Sequence, residues 1–287
     1  MANVTNKAID KTYLSVDQAE RRGFLHRDYI AHCFRWSHVI KWMSQRRRYE
    51  DLLMLDIGCG KEAPMLKMIY SSKMRVRSYV GVDAGPIQVN LNTMPSFPYV
   101  LMDNLEFDKA GKDVMPPWED DELFDVAVCF EVLEHMEPLQ MIAVLQKIKS
   151  LVKPKADIFI STPNWDRTHC AGNHVNEIRY EALGAVLERE GFTVHESFGT
   201  FASLKDYEHL IPEPWKKLQE KLREYFDTNV LACIFAPMFP AESRNCLWHL
   251  KNMNPTNKVF KDLAEVEAPW GSSSKWKELS GEANADA

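Results

Sequence analysis

The chain has 287 residues, a formal net charge of -6 and an isoelectric point near 5.9. This length suits one well-cored α/β domain with additions, and the acidic balance argues against a surface built wholly for a polyanion such as nucleic acid. The six cysteines lie far apart without a Cys-x-x-Cys pair, and no apolar run approaches the roughly 20 residues of a membrane span, so we expect a reduced, cytoplasmic protein.

Residues 1–49 predict an N-terminal helical cap on the main domain. Apolar residues recur near helical spacing over 24–45, with aromatic residues between them. His26, His32 and His38 fall six residues apart, which does not place them on one helical face. We therefore expect them to act separately and not to hold a metal together.

The main domain, predicted over 50–250, begins with a strand, a glycine turn and a helix. The apolar run Leu52–Ile57 has the length of a buried strand, and apolar residues at helical spacing follow over 62–70. Between them, Gly58 and Gly60 permit a tight turn that brings the backbone close to a ligand. Cofactor-binding α/β domains build their first unit in this order. Because Gly58-x-Gly60-x-x-Ala63 also fits the dinucleotide fingerprint, a nicotinamide cofactor remains open at this point.

Further strands and helices alternate along the rest of the domain. We predict strands over 79–82, 99–102, 124–130, 156–161 and 192–201, helices over 138–152 and 178–190, and an antiparallel last strand over 245–250. An insertion at about 203–240 carries an apolar stripe that we interpret as core: Trp215, Leu218, Leu222, Tyr225 and Phe226. The tail, residues 251–287, lacks periodicity and is expected to be flexible.

Four motifs, in order, resemble those of class I S-adenosylmethionine (SAM)-dependent methyltransferases. They are Asp56-x-Gly58-x-Gly60, Tyr79–Asp83, Val100–Asp103 and Phe124–His135. The Glu131-Val-Leu-Glu-His135 stretch is most similar to the branch of ubiquinone-pathway O-methyltransferases and small-molecule enzymes, although Glu62 stands where many members have a third glycine. The resemblance implies an α/β fold: a Rossmann-like, doubly wound, mostly parallel sheet of about seven strands with an antiparallel last strand.

The resemblance also implies SAM as the cofactor and a set of residues that bind it. Asp83 would accept hydrogen bonds from both ribose hydroxyls, and Asp103 would take the adenine amino group. The full predicted set is Asp56, Gly58, Cys59, Gly60, Asp83, Ala84, Asp103, Asn104, Phe130 and Glu131.

The polar loop 162–177 follows the fifth strand, at the sheet edge where doubly wound folds bind ligands. We expect Asn164, His169 and His174 to contact the acceptor, and His135 or His174 to act as a general base. The loop also contains Cys170 and Glu177, but no tightly spaced ligand pair, so we expect no metal.

The sequence therefore predicts methyl transfer from SAM to an oxygen or nitrogen of a small-molecule, sugar or nucleotide-like acceptor. Nucleic acid is a less favoured partner, and no membrane partner is expected. One alternative is an NAD-dependent oxidoreductase, which would share the glycine turn and Asp83 but leave Asp56 and the 131–135 stretch unexplained. The other is a noncatalytic cofactor-binding protein on the same fold.

Overall fold

The computed structural model describes residues 27–89, 97–103, 122–165 and 173–260, with side chains from residue 30 onward. Two predicted site residues, Asn104 and His169, lie outside the described residues. The same holds for most of the predicted tail, from residue 261 on.

The described strands form one sheet. They are β1 (Leu53–Ile57), β2 (Ser78–Val82), β3 (Tyr99–Met102), β4 (Phe124–Phe130), β5 (Val152–Pro163), β6 (Thr193–Phe201) and β7 (Asn245–Lys251). Their order across the seven-stranded sheet is β3-β2-β1-β4-β5-β7-β6. β7 runs antiparallel to both of its neighbours, and the remaining pairs are parallel. The predicted fold class and the antiparallel last strand are confirmed.

Helices cover both faces of this sheet. They are α1 (Arg27–Ser44), α2 (Pro64–Ser71), α3 (Pro138–Leu151), α4 (Tyr180–Arg189), α5 (Leu204–Tyr207), α6 (Glu213–Leu222) and α7 (Thr228–Phe235). α1 and α2 pack on the face that carries Met54, and α3 and α4 pack on the face that carries Leu55. All five residues of β1 are therefore buried, as expected of a parallel strand covered on both sides.

The strand order reverses between β1 and β4. A doubly wound sheet binds its ligands outside the carboxyl ends of the strands at such a switch point, because the two following loops diverge there. In this chain those loops are the glycine turn after β1 and the Glu131–His135 stretch after β4.

The insertion has its own small core, and α6 packs against it only at one edge, through Leu222. Tyr207, Leu231 and Phe235 fill that core from α5 and α7. The interpretation of the stripe as core holds for Leu222 alone and is wrong for its other members, since Trp215 is 46% exposed and Tyr225 is 70% exposed. The helical period predicted α6, which ends at Leu222, so Tyr225 and Phe226 lie beyond the helix.

The first residues of the predicted tail dock on the domain. Phe260 contacts the rings of Tyr180 and Trp248, and the backbone N–H groups of Val259 and Phe260 donate to the carboxylate of Glu188. None of the helices in the described part of the chain combines the length and the apolar character that a membrane crossing requires.

Candidate active site

The turn after β1 is held in a left-handed conformation by two glycines. Gly58 has φ +66 and Gly60 has φ +75, backbone angles that residues with a Cβ rarely adopt. A Cβ on Gly58 would lie 2.1 Å from Cγ2 of Val132, whereas one on Gly60 would meet Pro64 Cδ at 3.9 Å. Val132, from the loop after β4, is thus a second reason for glycine at position 58, beside the predicted ligand contact, which stays a prediction.

Asp83 at the end of β2 braces this turn. Its two carboxylate oxygens accept the backbone N–H groups of Gly60 and Gly85, each at 2.8 Å. Asp103, at the end of β3, accepts the N–H of Ile87 at 3.2 Å and is otherwise exposed. Each carboxylate oxygen has more than one acceptor site, so both groups keep capacity for a ligand at this edge.

Asp56 is buried beneath the turn and accepts a hydrogen bond from the hydroxyl of Tyr79. Burial raises the pKa of Asp56 to about 7, against the lowering effect of that hydrogen bond. The carboxyl group is therefore enclosed by protein, with Tyr79 as a hydrogen-bond partner, and does not lie open to the crevice.

Glu131, the first residue after β4, has φ +58 and is anchored from several elements. Its carboxylate accepts from Ser161 Oγ at 2.8 Å and from Asn245 Nδ2 at 2.8 Å, and it lies 3.4 Å from Nη1 of Arg35. Burial alone would raise the pKa of Glu131, but Arg35, His32 and the two hydrogen bonds lower it below its usual value. Glu131 is therefore held as a carboxylate at the rim of the crevice.

Sequence reasoning missed Arg35. Its side chain is 1% exposed, and Nη1 donates to Asn245 Oδ1 at 3.0 Å. A signal was present: Arg35 precedes the buried Val39 by four residues and Met43 by eight, which puts all three on the inner face of α1.

The two predicted catalytic histidines meet beside Glu131. The ring centroids of His135 and His174 are 4.8 Å apart and the rings are nearly perpendicular. The loop carrying His174 docks on the stretch after β4, because the N–H groups of Val175 and Asn176 donate to the Glu134 carbonyl at 2.9 and 3.0 Å. Nδ1 of His174 contacts the Glu177 carboxylate, which orients the ring.

The sequence profile of the methyltransferase domain matches residues 35–197, which is more than half of the chain. The chain belongs to the methyltransferase domain family. The match begins in α1 at Arg35 and ends in β6, so it covers the sheet edge just described.

Relatives of this methyltransferase domain are similar at moderate identity. A ubiquinone biosynthesis O-methyltransferase of Rickettsia bellii (strain OSU 85-389) is 29% identical over 143 residues, which are 50% of this chain and 54% of the relative. The chain thus spans about half the length of that relative. A small RNA 2'-O-methyltransferase of Arabidopsis thaliana is 29% identical over a stretch that covers 39% of this chain and 12% of the relative. The solved structure of a SAM dependent methyltransferase from Archaeoglobus fulgidus covers 82% of this chain and 98% of that one, with 18% identity and a TM-score of 0.46.

In the methyltransferase domain, the protonation of His135 follows from its contacts. Nδ1 lies 3.0 Å from the carbonyl oxygen of Asn173, which can only accept, so Nδ1 carries the proton. Burial lowers the pKa of His135, against the raising effect of this contact. The neutral ring therefore has its lone pair on Nε2, which is the form a general base requires.

The same stretch contains a set of metal-ligand types that the sequence analysis did not weigh. Ligand atoms of Glu134, His135 and His174 lie within 4.8 Å of one another. Glu134 is buried, and burial together with the nearby Glu131 carboxylate raises its pKa well above the usual value. Two imidazoles and a carboxylate suit divalent cations such as Zn²⁺ and Mn²⁺. The expectation that no metal binds stays untested.

Asn164 takes a position different from the one expected of a substrate contact. Its side chain is buried, and Nδ2 donates to the carbonyl oxygens of Pro240 and Ser243 at 3.1 and 2.7 Å. These bonds tie the end of β5 to the segment before β7. Its geometry favours a structural role.

Proposed function

We propose that the chain transfers a methyl group from SAM to an oxygen or nitrogen of a small-molecule, sugar or nucleotide-like acceptor. The observation that carries this proposal is the meeting of His135 and His174 at the switch point of a methyltransferase-family sheet, next to the glycine turn. Val132 links the two halves, since it packs on Gly58 and lies three residues before His135.

The cofactor is proposed to lie over the carboxyl ends of β1, β2, β3 and β4. Asp83 would bind the ribose hydroxyls and Asp103 the adenine amino group, because charged acceptors at adjacent strand ends make strong hydrogen bonds. The remaining proposed contacts among the described residues are Asp56, Gly58, Cys59, Gly60, Ala84, Phe130 and Glu131. Asp56 would contribute by supporting the turn. In methyl transfer the protein chiefly has to align the two reactants, and orientation can be worth about 7–11 kcal/mol.

His135 is the proposed general base. Its Nε2, which lies 3.8 Å from Oε1 of Glu134, carries the lone pair and would take the proton of an acceptor hydroxyl as the methyl group moves. Removal of a general base typically lowers a rate by about 10²–10⁴-fold. His174, oriented by Glu177, would hold the acceptor or share this task.

A divalent cation at Glu134, His135 and His174 is a second candidate for the same cluster. The grouping of one carboxyl group and two imidazoles favours it, because their ligand atoms lie within 4.8 Å of one another. A bound cation would supply Lewis acidity that lowers the pKa of an acceptor hydroxyl. Glu134 and the two histidines would then orient the acceptor and would not accept its proton.

Transfer of labelled methyl from SAM to a panel of catechols, sugars, nucleotides and RNA oligonucleotides tests these roles. We expect His135→Ala and His174→Ala to lower turnover at least tenfold while calorimetric affinity for S-adenosylhomocysteine is unchanged. His209→Ala, an exposed change in the insertion, is the matched control. Wild-type turnover in both variants would contradict the proposal.

Chelation separates the two candidates. If His135 is the base, EDTA leaves the rate unchanged and Mn²⁺ binding, followed by electron paramagnetic resonance, is absent from the cluster. If the cation candidate is right, EDTA abolishes turnover, Mn²⁺ restores it, and His174→Ala loses the bound Mn²⁺ signal.

A cytoplasmic location and a small acceptor accompany this proposal. The wide spacing of the six cysteines along the sequence, without a Cys-x-x-Cys pair, supports a reducing compartment. The O-methyltransferase relatives support a small acceptor, and the small RNA relative leaves nucleic acid as the less favoured acceptor.

A further inference from the structure

A second cluster of metal-ligand types lies away from the proposed active site, on the last two strands. Ligand atoms of His195 and Glu196 in β6 and of His249 in β7 all lie within 4.8 Å of one another. His249 follows Asn245 by four residues along β7, which corresponds to about 14 Å at roughly 3.4 Å per residue. The cluster is therefore separate from the network around Glu131.

A β-bulge explains how two successive residues of one strand reach the same partner. Side chains of consecutive strand residues normally point to opposite faces of a sheet. In β6 the register shifts between Val194 and Glu196: Val194 pairs with Leu250, and Glu196 pairs with His249. The extra residue, His195, is left beside the same partner, and its ring lies 4.9 Å from that of His249 at 84°. Bulges commonly re-aim side chains at functional positions.

His249 is buried and held in one orientation. Its Nε2 lies 2.6 Å from Oδ1 of Asp157, and its ring stacks on Phe159 with centroids 4.4 Å apart. Asp157 also accepts from Arg46 and Lys251, which stabilise it as a carboxylate. Because a carboxylate accepts only, Nε2 carries the proton and the lone pair is on Nδ1. Metal-binding histidines are typically fixed by a carboxylate in this way.

The charges around the cluster are compatible with a cation. Arg46 and Lys251 both pair with Asp157, whose single negative charge offsets one of their two positive charges. Glu196 adds an exposed carboxylate directly opposite His249. His38 lies on the α1 side of His249, and its pKa is lowered by burial and by His249.

We propose that His195, Glu196 and His249 form a binding site for a divalent transition metal of the Zn²⁺ type. Two imidazoles and one carboxylate make a three-ligand set that leaves a coordination position for water. Such an ion would join β6 to β7 and, through Asp157, to β5. It would stabilise the folded chain. The proposed site does not depend on the methyl transfer proposed above.

The test uses tag-free chain in which His135→Ala and His174→Ala remove the other cluster. In this background we expect one Co²⁺ per chain, with the visible absorption of coordinated Co²⁺, and a rise in melting temperature on addition of Zn²⁺. Adding His195→Ala or Glu196→Gln should weaken Co²⁺ binding at least tenfold and abolish the Zn²⁺-dependent rise. Adding the exposed His209→Ala should change neither.

The proposal is overturned if the background binds no Co²⁺ saturably, or if His195→Ala and Glu196→Gln bind it as tightly as the background does. A measurement on the otherwise unaltered chain covers the case in which the background does not fold. After dialysis against Zn²⁺, His195→Ala should retain one zinc per chain fewer than wild type, and equal zinc content would overturn the proposal.

Discussion

Gly58 shows that a neighbouring side chain, and not only a ligand, can require glycine at a position of the turn. Its left-handed backbone is required by the turn, and the position of its missing Cβ is already taken by Val132. Gly60 has the same left-handed backbone, but a Cβ there would make only an ordinary van der Waals contact with Pro64. An added methyl group should therefore lower the free energy of unfolding more at Gly58 than at Gly60.

We expect Gly58→Ala to lower the free energy of unfolding by about 2–5 kcal/mol, from left-handed strain of about 1–2 and overpacking of about 1–3. Gly60→Ala, the matched control, should cost only the strain. Urea denaturation measures both, and adding Val132→Ala to Gly58→Ala should recover part of the loss. Equal costs for the two glycines would show that Val132 does not determine the requirement.

Asp56 should make stability depend on pH in a defined direction. Its pKa is raised from 3.8 to about 7, so the folded chain holds the proton more tightly than the unfolded chain does. The stability that this group contributes at low pH is then lost as the pH rises from about 4 to about 7, and no further change follows above that. We expect Asp56→Asn to remove this loss.

Thermal denaturation of wild type and Asp56→Asn between pH 4 and 8 measures the effect. The melting temperature of Asp56→Asn minus that of wild type should rise with pH up to about pH 7 and then stay constant. Parallel curves across this range would show that Asp56 titrates as an ordinary surface carboxylate.

At the residue scale, the sequence revealed the acidic side chains that directly follow a strand. It did not reveal side chains that make contacts between distant elements. Asp83 and Asp103 were predictable because a strand followed by an acid is visible in one stretch of chain. The contact of Arg35 with Glu131 joins residues 96 positions apart, counting 131 minus 35, so it depends on how α1 crosses the sheet. The pairing of His135 with His174 was accessible only through the rule that neighbouring loops share a sheet edge.

Among the elements, α1 carries the longest-range effect on the site. It packs against α2, β6 and α7 and delivers Arg35 to the buried end of the Glu131 network. The cap predicted from residues 24–45 is therefore part of the site's support.

Replacing Arg35 by Met should destabilise the chain by about 1–3 kcal/mol, because it removes the cation that faces the partly buried Glu131 carboxylate. The double variant Arg35→Met/Glu131→Gln should cost less than the sum of the two single changes. Chemical denaturation of the four proteins gives this cycle, and simple additivity would indicate that the pair is not coupled.

The insertion illustrates where a periodic pattern misleads. An apolar stripe at helical spacing predicted α6, but the stripe alone does not tell whether the facing surface is available. We expect Tyr225→Ala, at a 70% exposed position, to change stability by less than about 0.5 kcal/mol. Leu231→Ala, at a fully buried position of α7, should cost about 2–5 kcal/mol. A large loss at Tyr225 in denaturation experiments would restore the core interpretation.

For the whole molecule, the positions of the seven strands followed from the alternation of apolar runs and helical periods, and the mostly parallel sheet with its antiparallel last strand followed from the resemblance to class I methyltransferases. β5 is longer than predicted, Val152–Pro163 in place of 156–161, because its first residues are partly polar and show no apolar run. The chain's later segments were harder to place, since the docking of Phe260 on Tyr180 and Trp248 depends on a surface assembled from several elements.

Calorimetric titration of the folded chain with S-adenosylhomocysteine and, separately, with NADH tests the central claim most directly. The account predicts that S-adenosylhomocysteine binds at one site per chain, that Asp83→Ala weakens this binding by about 1.5–3 kcal/mol, the scale of hydrogen bonds to a charged group, and that NADH produces no binding heat. Folded protein that binds NADH but not S-adenosylhomocysteine, or that binds S-adenosylhomocysteine equally well without Asp83, would contradict it.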